Sequence, residues 1–179
     1  MVRIPKGKSK AVENQVSKLK STLGSDRSMN VTALAKVLQE LGEVKIVKPA
    51  LSDSGLMCYG VIGPDRTPVI TLSGDPLGAA LACEIFVRPM IRTMYGAANI
   101  FRRKMKAKLG GEIKSPQDER SYIRAALTKK SGLTAHVLPD QEHLISLSNA
   151  TALVIVDESV TSISDGQEVE ILILDRGSN

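Results

Sequence analysis

The sequence predicts an α/β domain followed by a small β-barrel-like C-terminal domain, and three observations carry that prediction. As far as Gly96, short β-branched runs alternate with apolar residues at helical spacing. Beyond Ala98, short strand patterns are separated by the turn pairs Gly110-Gly111, Ser131-Gly132 and Asp165-Gly166. Between the two regions runs a long apolar helix, which follows the β-branched stretch Val69-Ile70-Thr71-Leu72 and a sharp turn at Ser73-Gly74-Asp75-Pro76. We therefore divide the chain into residues 1–98 and 99–179, with residues 1–10 as a flexible basic lead-in.

The elements follow in order. Val12, Val16, Leu19 and Leu23 share one helical face, and Gly24 ends that helix in the loop Gly24-Ser25-Asp26-Arg27-Ser28. Asn30 suits the N-cap of a second helix, with Val31, Leu34, Leu38 and Leu41 on one side and Gly42 at its end. Strands are predicted over Val44 to Val47, Leu56 to Ile62 and Pro68 to Leu72, with a tight turn at Gly63-Pro64-Asp65-Arg66. Helices alternating with strands suggest a layer with a parallel or mixed sheet. In the long helix, Asp75 is placed to cap, Pro76 sits at the first helical position and Gly96 lies past the end. Pro89 removes a backbone donor and should kink or divide that helix. Its apolar residues occur almost all round, which predicts packing on several sides. Strands are expected within Phe101 to Leu109 and at Tyr122 to Thr128, Leu133 to Leu138, Ala152 to Val156 and Val169 to Leu174, with a helical turn at Leu144 to Asn149.

Composition narrows the function classes. The 179 residues are 42% hydrophobic, and no apolar run approaches the roughly 20 residues that span a bilayer. The start MVRIPKGKSK lacks the apolar core of a signal peptide, so a cytoplasmic chain is expected. Cys58 and Cys83 lie in apolar surroundings without metal-ligand spacing and read as reduced core residues. With two Phe, three Tyr and no Trp, stacking platforms for single-stranded nucleic acid are poorly supported. The net charge of +5 is unevenly placed, because residues 101–130 hold ten basic side chains against three acids, whereas 151–179 hold six acids against Arg176. Such asymmetry suits either a basic surface for an anionic partner or a solvated face.

A strand, a small-residue turn and a helix start make an anion-binding corner, because free N–H groups and the helix dipole point into it. Asp75 suits a ligand role there and equally an N-cap. Asp53, in Ser52-Asp53-Ser54-Gly55, suits a ligand or a turn residue. Glu84 lies four residues before Arg88, as a structural ion pair requires. His143 reads as a surface residue.

The order of these motifs resembles the molybdopterin molybdenumtransferase family, MoeA and the gephyrin E domain. The resemblance rests on Leu72-Ser73-Gly74-Asp75-Pro76, Leu77-Gly78-Ala79 and Phe86-Val87-Arg88-Pro89, with Leu41-Gly42-Glu43-Val44 upstream. Downstream it rests on Ala150 to Val156 and Asp165-Gly166-Gln167-Glu168-Val169. The resemblance implies part of a three-layer α/β molybdopterin-binding domain and the family's C-terminal β domain (domain IV). It implies insertion of molybdate into adenylylated molybdopterin with Mg²⁺, by an extended dimer. It places ligand contacts at Gly24, Ser25, Ser54, Gly55, Ser73, Gly74, Asp75 and Pro76, and catalytic or Mg²⁺-binding carboxylates at Asp53 and Asp75, with Asp26 a weaker candidate. The loops also depart from the family pattern. Ser73 and Asp75 replace a proline and an asparagine, and the loop of residues 52–55 lacks the family's lysine.

Three functions are consistent with this reading. The chain binds molybdopterin or its adenylylated form and, if active, transfers molybdenum, as a homodimer or with a partner supplying N-terminal domains. Alternatively it is a non-enzymatic oligomerising or protein-interaction module. Third, the helices flanking Gly24 to Met29 could mimic a helix-turn-helix, although that connection is longer than the usual turn. No membrane association is expected.

Overall fold

The computed structural model describes residues 31–52, 54–72, 74–129 and 132–174. The expected lead-in, the first helix and the cap at Asn30 lie outside the described residues. The chain divides into two compact units: residues 1–47 with 56–74, and residues 48–55 with 75–179.

In the first unit, helix α1 (Val31–Leu41) runs directly into strand β1 (Gly42–Val47), followed by β2 (Met57–Ile62) and β3 (Thr67–Ile70). The three strands form one antiparallel sheet in the order β1-β2-β3. This corrects the expected parallel or mixed sheet. The turn at residues 63–66 folds β2 onto β3 as a hairpin, with Gly63 and Arg66 at positive φ and Arg66 N donating to Gly63 O at 3.1 Å. Apolar residues of α1 pack on one face of the sheet, where Ala35, Leu38, Val44 and Cys58 are buried. Gly60 is required at the β1–β2 contact, since a Cβ there would lie 2.0 Å from the Glu43 carbonyl oxygen.

The second unit opens with helix α2 (Pro76–Ala82), a π-helical turn (Cys83–Val87) and helix α3 (Arg88–Met94). Pro89 explains the π turn. It offers no N–H to Ile85, and its ring would crowd that carbonyl in a regular helix. The wider turn sends Arg88 N–H to the Cys83 carbonyl instead, so the helix continues through the proline. Gly96, at φ +67°, ends the segment, and its N–H donates to the Thr93 carbonyl. The helix is buried mainly along its first half. Ile91, Met94 and Tyr95 are exposed, contrary to the expected packing on several sides.

Strands β4 (Lys104–Gly110), β5 (Ile113–Lys114), β6 (Ser121–Lys129) and β7 (Leu133–Val137) follow, then helix α4 (Leu144–Asn149), β8 (Ala152–Val156), β9 (Ser162–Ile163) and β10 (Glu168–Ile173). Five strands close a barrel in the order β10-β4-β7-β6-β8, with β4 and β7 parallel and the remaining pairs antiparallel. Alternation along β4 turns Ala107 and Leu109 into the barrel core, where they meet Ala125, Ala135, Val154 and Ile171. All five residues of β8 are buried because both its faces are covered. Ala152, Val154 and Val156 belong to the barrel core, whereas Leu153 and Ile155 join a second cluster with Leu51, Leu81, Leu172 and Leu174. That second cluster fastens α2 to the outside of the barrel.

The barrel also cancels the uneven charge of the linear sequence. Because β4 lies beside β10, Lys104 reaches Glu170 at 2.8 Å and Lys106 reaches Glu168 at 2.6 Å. Arg120 likewise contacts Asp157 at 2.6 Å and Glu158 at 3.3 Å. The basic segment and the acidic tail are therefore neighbours, which removes the main argument for a broad anion-binding face.

Candidate functional site

The second unit contains a polar cleft of ≈470 Å³ whose lining includes Ser52, Asp75, Lys114, Ser121, Arg124 and Glu142. Two chain segments singled out by sequence meet there: residue 52 from the loop of residues 52–55, and Asp75 from the helix start. The loop is stitched to Arg120, just before β6, by Ser52 N donating to Arg120 O at 3.0 Å and Arg120 N donating to Ala50 O at 2.9 Å. A chain of hydroxyls extends this join, with Ser115 Oγ 2.8 Å from Ser121 Oγ and Ser121 Oγ 3.2 Å from Ser52 Oγ.

Asp75 caps α2. Its backbone is extended, Oδ2 accepts from Gly78 N at 2.6 Å, and Pro76 occupies the first turn, where its missing N–H costs nothing. The carboxylate thus shapes the corner by occupying one of its free donors. Ser54 is buried and donates its hydroxyl to the Leu51 carbonyl at 2.8 Å, holding the loop closed, and Gly55 follows at φ +61°. Gly74 has open space where a Cβ would stand. Gly24, Ser25, Asp26, Asp53 and Ser73 lie outside the described residues.

Arg124 is the residue that sequence reasoning missed. It is only 7% exposed. Its Nε donates to Ser146 Oγ at 2.9 Å, and Nη2 donates to the Gln141 carbonyl. Gln141 in turn clamps the Arg124 backbone, accepting from its N–H at 3.0 Å and donating to its carbonyl at 2.8 Å. A single arginine in a strand otherwise read as apolar was the available signal, but its partners lie 17 and 22 residues away. Lys114, on the short strand β5, is exposed at the same cleft.

Other expectations resolve as follows. Glu84 forms a bidentate pair with Arg102 at 2.9 and 3.0 Å, while Arg88 donates to the Ile100 carbonyl at 3.1 Å. Cys58 is buried, but Cys83, at the junction of α2 and the π turn, is exposed. His143 is exposed at the start of α4. Among the described residues, no group of three His, Cys, Asp or Glu could hold a metal ion. With Asp75 engaged as a cap, the described residues do not by themselves fit Mg²⁺, which takes several oxygen ligands. Among the described residues, no helix is long and apolar enough to cross a membrane.

Fold and cleft together define a closed five-stranded barrel carrying a proline-adapted helix, with a serine-, lysine- and arginine-lined cleft at that helix's start. A family model described as the MoeA C-terminal region (domain IV) matches residues 106–174, which contain all five barrel strands except the first two residues of β4. Molybdopterin molybdenumtransferase 1 of Mycobacterium tuberculosis is 29% identical over 156 residues, covering 79% of this chain and 35% of that protein. Molybdopterin molybdenumtransferase 2 of the same organism is 30% identical over 129 residues, covering 72% of this chain and 31% of that protein. The solved molybdopterin biosynthesis MoeA protein from Pyrococcus horikosii superimposes with a TM-score of 0.64 at 26% identity, over 78% of this chain and 34% of that one. The matched stretches are those of the C-terminal portion of MoeA proteins, which this chain resembles in sequence and in fold. The chain spans about a third of the length of these curated relatives.

Proposed function

We propose that this chain binds molybdopterin or its adenylylated form at the cleft around Asp75. The observation that carries the reading is the meeting of Ser52 and Asp75, from the two family loops, beside Lys114 and Arg124. Hydroxyls and cations are the groups that recognise a phosphorylated ligand, and Arg124 is held in place before any ligand arrives. The remaining loop residues, Gly24, Ser25, Asp53, Ser54, Gly55, Ser73, Gly74 and Pro76, belong to the same proposal as shaping or contact residues. Molybdate insertion would then require the domains that make up the rest of the relatives' length, acting with this portion in a homodimer or as a partner. No step of this reading runs through Mg²⁺; Asp53 and Asp75 are the carboxylates that would hold a divalent cation, which would offset negative charge on the ligand. Residues 1–98, as part of a molybdopterin-binding domain, and residues 99–179, as the C-terminal β domain, belong to this proposal, as does a cytoplasmic location.

Calorimetric titration with purified molybdopterin tests the reading. Micromolar binding that weakens on Lys114→Ala is expected, and absence of binding in that range overturns it. A second reading, a non-enzymatic oligomerising module, is favoured by the exposed Ile91, Met94, Tyr95 and Phe101. It expects an oligomer by light scattering that dissociates on Tyr95→Ser, and a monomeric wild type removes it.

A further inference from the structure

The connection from β1 to β2 leaves the unit to which both strands belong. Val47 and Leu56 lie in the first unit, whereas residues 48–55 between them belong to the second. Among the described residues of 48–55, Leu51 is the one buried apolar side chain, at 6% exposure. It packs in the cluster of Leu81, Leu153, Leu172 and Leu174. Leu51 also forms a parallel bridge with Arg120, and Ser54 Oγ closes the turn on the Leu51 carbonyl. The next residue, Ser52, lines the polar cleft, and its Oγ accepts from Ser121. Leu51 itself is not part of that lining. Around this anchor Lys48, Ala50, Gly55 and Leu56 are exposed, and only two backbone bonds, both to Arg120, join the segment to the chain before β6. An attachment with one buried anchor and so few bonds opens at lower cost than a closed barrel.

We propose that Leu51 is a positioning residue of the cleft: its burial docks residues 48–55 and so presents Ser52 to the ligand. On the molybdopterin reading, on which this rests, a ligand that contacts Ser52 binds the docked segment and not the open one. The coupling is then reciprocal. Loosening Leu51 lowers the fraction of chains competent to bind, and a bound ligand holds the segment closed.

Amide hydrogen exchange of the full chain, followed by NMR with and without molybdopterin, reads this at Ser52 and Arg120, whose N–H groups bond across the attachment. In wild type without ligand, both amides should exchange faster than those at the centres of β8 and β10. Molybdopterin at about 100 times its Kd should then raise their protection about 100-fold. That measurement needs no variant. Leu51→Asn, which puts an uncharged polar group in the apolar cluster, should abolish protection at both amides and weaken molybdopterin binding at least about ten-fold by calorimetry. Leu51→Met, which nearly conserves volume, should keep both. Wild type that binds no molybdopterin sinks the function and this role together, whereas binding with no added protection at Ser52 and Arg120 overturns the role alone. Exchange of these amides no faster than the barrel centre, or full affinity in a folded Leu51→Asn variant, overturns it as well.

Discussion

The barrel and the three-stranded sheet solve the same problem with very different completeness. The barrel closes on itself, so each of its five strands has two neighbours. Its core includes ten buried residues, and a second buried cluster covers one outer face. Among the described residues, the sheet of β1, β2 and β3 leaves β1 and β3 as edges, and its cluster holds four buried residues. Glu43 and Lys45 on β1 and Pro68 on β3 are edge-type residues, which discourage pairing with other chains. Among the described residues, the contrast teaches that the larger buried core belongs to the barrel, whereas the sheet packs through close backbone approach and helix α1.

The largest expected effect breaks the barrel side of that contrast. Ile171→Ala removes a fully buried side chain from the centre of β10 and should cost about 3 kcal/mol in urea unfolding. Loss of hydrogen-exchange protection should spread over β4, β8 and β10 together; loss confined to β10 would show that the barrel is not one cooperative unit. Gly60→Ala attacks the other side. The added Cβ would meet the Glu43 carbonyl oxygen and, at 2.8 Å, Val44 Cα, both backbone atoms. A cost of about 2 kcal/mol is expected, with protection lost across β1 and β2 and the barrel unchanged.

A smaller effect separates the two roles of Asp75. Asp75→Ala should lose about 1 kcal/mol as a cap. Asp75→Asn should keep nearly all of that stability, because an amide oxygen still accepts from Gly78 N–H. Thermal unfolding of both variants checks this, and equal losses would mean the carboxylate charge, not the cap bond, holds the corner. The smallest effect lies on the barrel surface. The hydrogen bond and negative charge of Glu168 raise the Lys106 ammonium above its ordinary 10.5. A raised cation contributes its stability below that ordinary value and loses it as pH rises through the folded one. The difference in melting temperature between wild type and Lys106→Gln should therefore be slight at pH 7, begin to shrink as pH passes about 10.5 and vanish only above the raised folded value. Since the pair is exposed, added salt should also erase it.

Much of the architecture was legible because local rules govern it. Ala152–Val156 and Leu144–Asn149 coincide with the expected strand and helix. Asp75, Pro76 and Gly96 delimit the helix by cap chemistry that depends only on near neighbours. The candidate site was legible only in part. Asp75 was visible from its place before a helix, and the loop of residues 52–55 from its turn residues. Arg124 was not, because its meaning comes from Gln141 and Ser146, which helix α4 and the chain before it bring alongside β6. Cys83 was also misplaced: it continues α2 in regular helical geometry, next to the buried Leu81 and Ala82, yet is exposed.

What local sequence settles here is the kind and extent of most elements, since hydrophobic period, caps and turn residues act within a few residues of one another. Which strands become neighbours belongs to the folded chain alone. Pairing β4 with β10 joins residues more than 60 positions apart, and the alternation in each strand is equally compatible with other partners. Closure of the barrel made that choice. It also turned two oppositely charged stretches into cross-strand ion pairs and gave Arg124 its place in the polar cleft.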